Sequence, residues 1–148
     1  MSPLVAFLNG TGLDAAGRTF HDVIALDDDE LERRHDFIQW LFPLPEPSRA
    51  VPGSPVLTPQ EASAISDSAA ALSNLAAAAD RMSAFYDATE HWLAAHDHNH
   101  LRISRIIRSL RLLVGDTAAD RFRELRLESL SARGGQVNTV SLEHWRRS

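Results

Sequence analysis

His35-Asp36-Phe37-Ile38-Gln39-Trp40-Leu41-Phe42-Pro43-Leu44 sets five large apolar side chains among three polar ones ahead of a proline. So much apolar bulk belongs in a core rather than on a surface. Asp27, with Glu30 three residues later, is a helix N-cap signal. Pro43 stops a helix, since it lacks the N–H and displaces the preceding residue from helical backbone. These signals predict one helix of about four turns over residues 27–42, central to the domain and burying Trp40. The fold class expected is all-α: a single-domain bundle of five to six helices over residues 1–148.

With 148 residues, 44% of them apolar, the chain suits one core that hides roughly 70% of the unfolded surface. Cysteine is absent, which excludes disulfides and thiolate chemistry. Met1-Ser2-Pro3 has no basic region and the apolar stretch Leu4–Leu8 is short, so no signal peptide is expected. No segment has the ~18 apolar residues of a membrane span, and the expected location is cytoplasmic. All 15 basic residues are arginine. Residues 1–101 carry 5 Arg against 15 acids, and residues 102–148 carry 10 Arg against 5. An acidic N-terminal part docked on an arginine-rich C-terminal part is the expectation. The net charge of −5 argues against nucleic-acid binding.

Around the central stretch, residues 7–18 read as an ordered glycine-bearing loop without the strand a phosphate cradle needs. Thr19–Leu26 reads as a short helix or turn. Six of the seven prolines fall in residues 43–59, a stiff crossover connection. Thr58-Pro59-Gln60-Glu61 is a capping box, opening about 30 residues of helical pattern with Ile65, Leu72, Ala79, Met82 and Tyr86 along one stripe. That stripe has too few large residues for a coiled coil, so it packs within the chain. After a break near Asp97-His98-Asn99-His100, where Asp97 or Asn99 can cap, the next helix buries Ile103, Ile106, Ile107, Leu110, Leu113 and Val114. Its polar side carries Arg102, Arg105, Arg108 and Arg111. Gly115 reads as a C-terminal cap and Asp116 as an N-cap for a helix from Thr117 to about Leu130, with Phe122 and Leu125 inward. Gly134-Gly135 is a turn, and Val137–Trp145 is a tail that packs or frays.

The ten-residue stretch, with Glu32 before it and Ser48 and Leu57-Thr58 after it, resembles the signature of the opioid growth factor receptor conserved region. Asn99-His100-Leu101-Arg102-Ile103-Ser104-Arg105-Ile106-Ile107-Arg108-Ser109-Leu110 is similar to that family's second block, and residues 9–18 to its opening segment. The resemblance covers roughly residues 7–115, leaving a C-terminal helix and tail over 116–148. Phe85-Tyr86-Asp87 departs from it, since the family pattern has glycine after the tyrosine and the helix there is expected to end differently. Vertebrate members are described as receptors for the pentapeptide Met-enkephalin, found at the nuclear envelope and restraining proliferation, with long repeats after the conserved region. No such repeats occur in these 148 residues. The family supplies no catalytic residue set to carry over.

The polar residues of the two blocks are the candidate site: Glu32, His35, Asp36, Gln39 and Trp40 with Asn99, Arg102 and Arg105. If their helices pack, Glu32 or Asp36 is expected to meet Arg102 or Arg105 as a bidentate pair, with Gln39 and Asn99 holding the remaining hydrogen bonds. Such a set is either a polar network fixing helix register or the floor of a ligand groove. Glu32-Arg33-Arg34-His35 is an E-x-x-H, but a di-iron site needs a second one, and none occurs. His91, His96, His98 and His100 crowd a helix break and read as capping or solvent-facing groups. No metal or cofactor is therefore assigned. The function expected is non-catalytic peptide or small-ligand binding. The alternatives are a metal-dependent hydrolase using the His-rich segment, or an interaction module binding an acidic partner through its arginine-rich helices. An enkephalin needs an acid, a base and an apolar slot, which Glu32 or Asp36, Arg102 or Arg105 and Trp40 offer. These groups also satisfy one another, so weak or no enkephalin affinity is expected.

Overall fold

The computed structural model describes residues 1–148. The helices are α1 Pro3–Leu8, α2 Phe20–Ile24, α3 Asp28–Arg33, α4 Ile38–Leu41, α5 Pro59–Ser66, α6 Ala69–Ala88, α7 Asn99–Leu113, α8 Asp116–Arg133 and α9 Thr139–Arg147. A 3₁₀ turn, His91–Leu93, precedes α7, and the only extended pairing is an isolated antiparallel bridge between Leu13 and Thr19. No helix is long and apolar enough to cross a membrane. The chain is all-α, and its nine helices exceed the five to six expected because two predicted helices are each divided and Pro3–Leu8, not read as a helix in the sequence, forms α1.

The first division falls in the decisive stretch. Asp27 caps α3 as predicted, its carboxylate accepting from the Glu30 N–H at 2.8 Å. The helix then stops at Arg33, and Arg34 is extended (φ −85°, ψ 140°). A continuous helix would spread Phe37, Ile38, Trp40, Leu41 and Phe42 over about 200° of its circumference, at 100° per residue, more than one buried stripe. Breaking the chain lets the short α4 enter the core by itself, with all four of its residues buried. The second division is at Asp67-Ser68. Ser68 caps α6 by accepting from the Ala71 N–H and donates its own hydroxyl to Asn9 Oδ1 at 2.6 Å, which ties α6 to the end of α1.

Other signals read from the sequence take the expected form. The capping box of α5 is complete, and the second oxygen of Glu61 accepts from the Ser2 hydroxyl, which caps α1. Asp14, almost fully buried, holds the loop before α2 by accepting from the N–H groups of Ala16 and Arg18 and from the Arg18 side chain. Gly115 (φ +137°) is the N-cap of α8 and Asp116 its first residue, one position from where the sequence placed them. α8 runs to Arg133 and closes on Gly134 in the left-handed region (φ +69°). The tail packs rather than frays. Asn138 caps α9, and Trp145 is fully buried with its indole N–H donating to the His100 carbonyl at 3.0 Å.

α7 lies at the centre, against α5, α6, α8, α9 and the 3₁₀ turn. A continuous cluster of 30 buried apolar residues joins Leu4 in α1 to Trp145 in α9, so the chain has one core. Trp40 belongs to it, 9% exposed and edge-on to Phe7 at 5.5 Å. Replacing Trp40 by Ala is expected to cost about 3–5 kcal/mol through the cavity it leaves, read as a lowered urea midpoint with an unchanged slope.

Candidate functional site

The two blocks that the sequence paired do meet, through different partners from those expected. Arg102 donates Nη1 to the Leu31 carbonyl at 2.7 Å and Nη2 to the Arg34 carbonyl at 2.5 Å, with its guanidinium 5.3 Å from the centre of the Phe37 ring. Arg105 donates Nε to the Phe42 carbonyl at 2.8 Å. Neither forms an ion pair with Glu32 or Asp36. Asp36 instead faces Arg18, at 3.0 Å, beside a shallow cleft that Trp40 also lines. The last carbonyls of α3 and α4 have no partners within their own helices, and these arginines supply them. The predicted carboxylate pairs are thus replaced by caps on backbone.

Arg105 and Gln39 line a groove of about 710 Å³ between α7 and the Pro-rich connection. Gln39 is buried and donates to the His35 carbonyl at 3.1 Å and to Ser48 Oγ at 3.4 Å, while its own Oε1 has no partner. Arg105 Nη2 is likewise buried and unpartnered. Burial pushes the Arg105 guanidinium down to about 10, with Glu46 opposing the fall and Arg108 adding to it. Arg49, Arg102 and Arg108 also line the groove, against one acidic side chain, Glu46, which Arg108 holds at 2.5 Å. The groove is strongly cationic. Sequence reasoning missed Arg108, Arg49 and Glu46; the spacing of Arg102, Arg105 and Arg108 by threes was the available signal.

Glu32 and Asn99 belong to a second cluster beside this groove. The fully buried Asn99 donates its amide to both oxygens of Glu32 at 3.1 Å and to Asp97 Oδ1 at 2.8 Å, and accepts from the Tyr86 hydroxyl at 3.3 Å. Asp97 also accepts from the Asn99 backbone N–H, but the N-cap of α7 is His98 rather than the expected Asp97 or Asn99. His98 Nε2 stands 2.9 Å from Glu32 Oε1, and His91 Nδ1 3.5 Å from Glu32 Oε2. His35 packs edge-on to His98, and partial burial and then Arg102 hold its imidazole below the ordinary range. The remaining histidines of the segment are elsewhere. His100 is buried between Trp92 and Ser141, facing the Trp92 carbonyl at 2.8 Å, and His96 faces Asn138. The four histidines therefore do not converge.

The chain is thus a helical domain whose interrupted helices are closed by arginines, with a cationic groove along its central helix. Residues 13–91 match the model of the opioid growth factor receptor conserved region, and the chain belongs to that family. The opioid growth factor receptors of Rattus norvegicus and Mus musculus are each 36% identical to it over 100 aligned residues. Those alignments take in 55% of this chain and 17% and 16% of the relatives, so it spans about one-sixth of their length. No solved structure matches. The matched region takes in the decisive stretch and stops before Asn99–Leu110, the second segment read as family-like. At the departure Phe85-Tyr86-Asp87, α6 continues to Ala88 and Asp87 receives Arg126 at 3.0 Å.

Arg102→Met is expected to cost about 2–4 kcal/mol, because two carbonyls lose their donors inside the protein. Chemical denaturation measures it. A neutral effect would show that the α3 end needs no cap.

Proposed function

We propose that this chain is a non-catalytic binding domain whose groove along α7 takes a peptide or small ligand bearing a carboxylate. The observation that carries the reading is the buried pair of unmet groups at the groove floor. A guanidinium N–H of Arg105 seeks an acceptor, and the Gln39 carbonyl seeks a donor. A peptide terminus or an acidic side chain with its neighbouring amide supplies both, and a charged hydrogen bond in a desolvated site is strong. Membership of the opioid growth factor receptor conserved region, and relatives named as receptors, agree with a ligand-binding role.

Enkephalin itself suits this groove less well than an acidic peptide, because its one carboxylate is offset by its ammonium. Its N-terminal ammonium would meet Arg49, Arg102, Arg105 and Arg108, with Glu46 the one acidic side chain in compensation. Glu32 and Asp36, the acids that the sequence offered for that ammonium, lie outside the groove lining. Weak or no enkephalin affinity is expected on this electrostatic ground.

Calorimetric titration tests the reading with two peptides: an N-acetylated pentapeptide ending in two glutamates, and Met-enkephalin. The acidic peptide is expected to bind with a Kd on the order of micromolar, at least about tenfold tighter than enkephalin, and to weaken as salt is raised. Arg105→Met is expected to remove about 1.4 kcal/mol or more of that binding, roughly tenfold in Kd. Arg49→Ala, which changes an exposed side chain without a partner in the structure, should weaken binding by a few-fold without altering stability. Equal affinity of the two peptides, or binding indifferent to both substitutions, would overturn the groove.

A further inference from the structure

We propose that Glu32, Asp97 and His98 bind a divalent transition-metal ion of the zinc class, a site separate from the anion groove. One donor atom from each residue lies within 4.8 Å of the other two. Two ligands of a tetrahedral ion sit about 3.4 Å apart when each bond is near 2.1 Å, so closure needs a movement of about 1 Å or so. The His98 side chain, 43% exposed, is free to make it. His91, already 3.5 Å from Glu32, offers a second imidazole as a fourth ligand. Three protein ligands with a position left open is a usual zinc arrangement. The imidazole among the donors favours zinc, cobalt or nickel over calcium and magnesium, which prefer oxygen shells.

The surroundings are built in the manner of a ligand shell. Glu32 and Asp97 each keep only 17% of their side chains exposed, and neither has an arginine within ion-pair distance in a chain that carries 15 arginines. Arg102 stands nearby, but its guanidinium is directed at the carbonyls of Leu31 and Arg34. Two carboxylates are thus held side by side with histidines as their only charge-bearing contacts. Asn99 draws them together: its amide reaches both oxygens of Glu32 and Oδ1 of Asp97, leaving Asp97 Oδ2 without a hydrogen bond. Tyr86 in turn steadies Asn99. Outer hydrogen bonds that orient carboxylates in this way raise metal affinity. Family membership does not bring the site with it, because Glu32 lies inside the matched region and Asp97 and His98 lie beyond it. The ion would clasp the end of α3 to the segment that starts α7.

Titration of zinc chloride into the full chain at pH 7.5, followed by calorimetry, with cobalt chloride followed by visible absorption, tests the proposal. One ion per chain, a raised Tm and the absorption of nitrogen- and oxygen-bound cobalt are expected. His98→Ala and Glu32→Gln should each weaken binding at least about tenfold, whereas His21→Ala and His96→Ala, at exposed histidines outside the cluster, should leave it unchanged. Should Glu32→Gln fail to fold, His98→Ala still decides, since its side chain is exposed and supports no core. No saturable uptake, or uptake that persists in His98→Ala, would overturn the site.

Discussion

Helices that end inside a protein leave carbonyl groups without partners, and the structure of this domain depends on arginines from elsewhere in the chain to receive them. Arg102 closes α3, Arg105 closes α4, and Arg133 reaches the carbonyls of Tyr86 and Thr89 at the end of α6. Arg81 does the same for Leu26 beyond α2, while pairing with Asp28. Each such carbonyl left without a donor costs about 1–3 kcal/mol. A planar guanidinium with five N–H groups can serve two carbonyls at once, which a lysine ammonium does less well. The exclusive use of arginine as the basic residue acquires a physical reason at these positions.

Arg126 is a separate case. It is fully buried, with its guanidinium 5.5–5.6 Å from the centres of the Tyr86, Trp92 and Phe122 rings and one ion pair, to Asp87. Ring faces supply negative charge where no second carboxylate is present. The acidic and basic parts of the chain therefore attract one another through few direct ion pairs. Arg108–Glu46 and Arg126–Asp87 join them, while Arg111 and Arg123 bind Asp120 within the C-terminal part.

Arg102 also separates the two candidate sites. On one side the groove has Arg105 and Gln39 with unmet hydrogen bonds; on the other, Asn99 holds Glu32 and Asp97 together. Arg102 itself has backbone partners and lends rigidity, so its removal acts on folding. Arg105 is only half satisfied, so its removal acts on binding as well as on the end of α4. The eight residues first grouped as one site serve at least three local functions, with Asp36 and Trp40 beside the Arg18 loop, away from both.

The sequence by itself determined that the chain is all-α, that residues 37–44 enter the core, that Asp27 and Thr58 mark helix starts, and to which family the chain belongs. These features follow from local chemistry: apolar density, side-chain caps and a proline are legible wherever they stand. It did not determine where the two longest predicted helices divide, because those breaks depend on distant donors, Arg102 for α3 and the Ser68–Asn9 contact for α6. Nor did it determine the partners of the arginines. Carboxylates are the partners that composition suggests, whereas backbone carbonyls are invisible in a sequence until helices are placed. Only the tertiary structure decided that Asp97 and His98, read as a cap and a surface imidazole, stand against Glu32, 65 residues earlier than Asp97, because the hydrogen bonds of Arg102 and Asn99 join α3 to the start of α7 only in the folded chain.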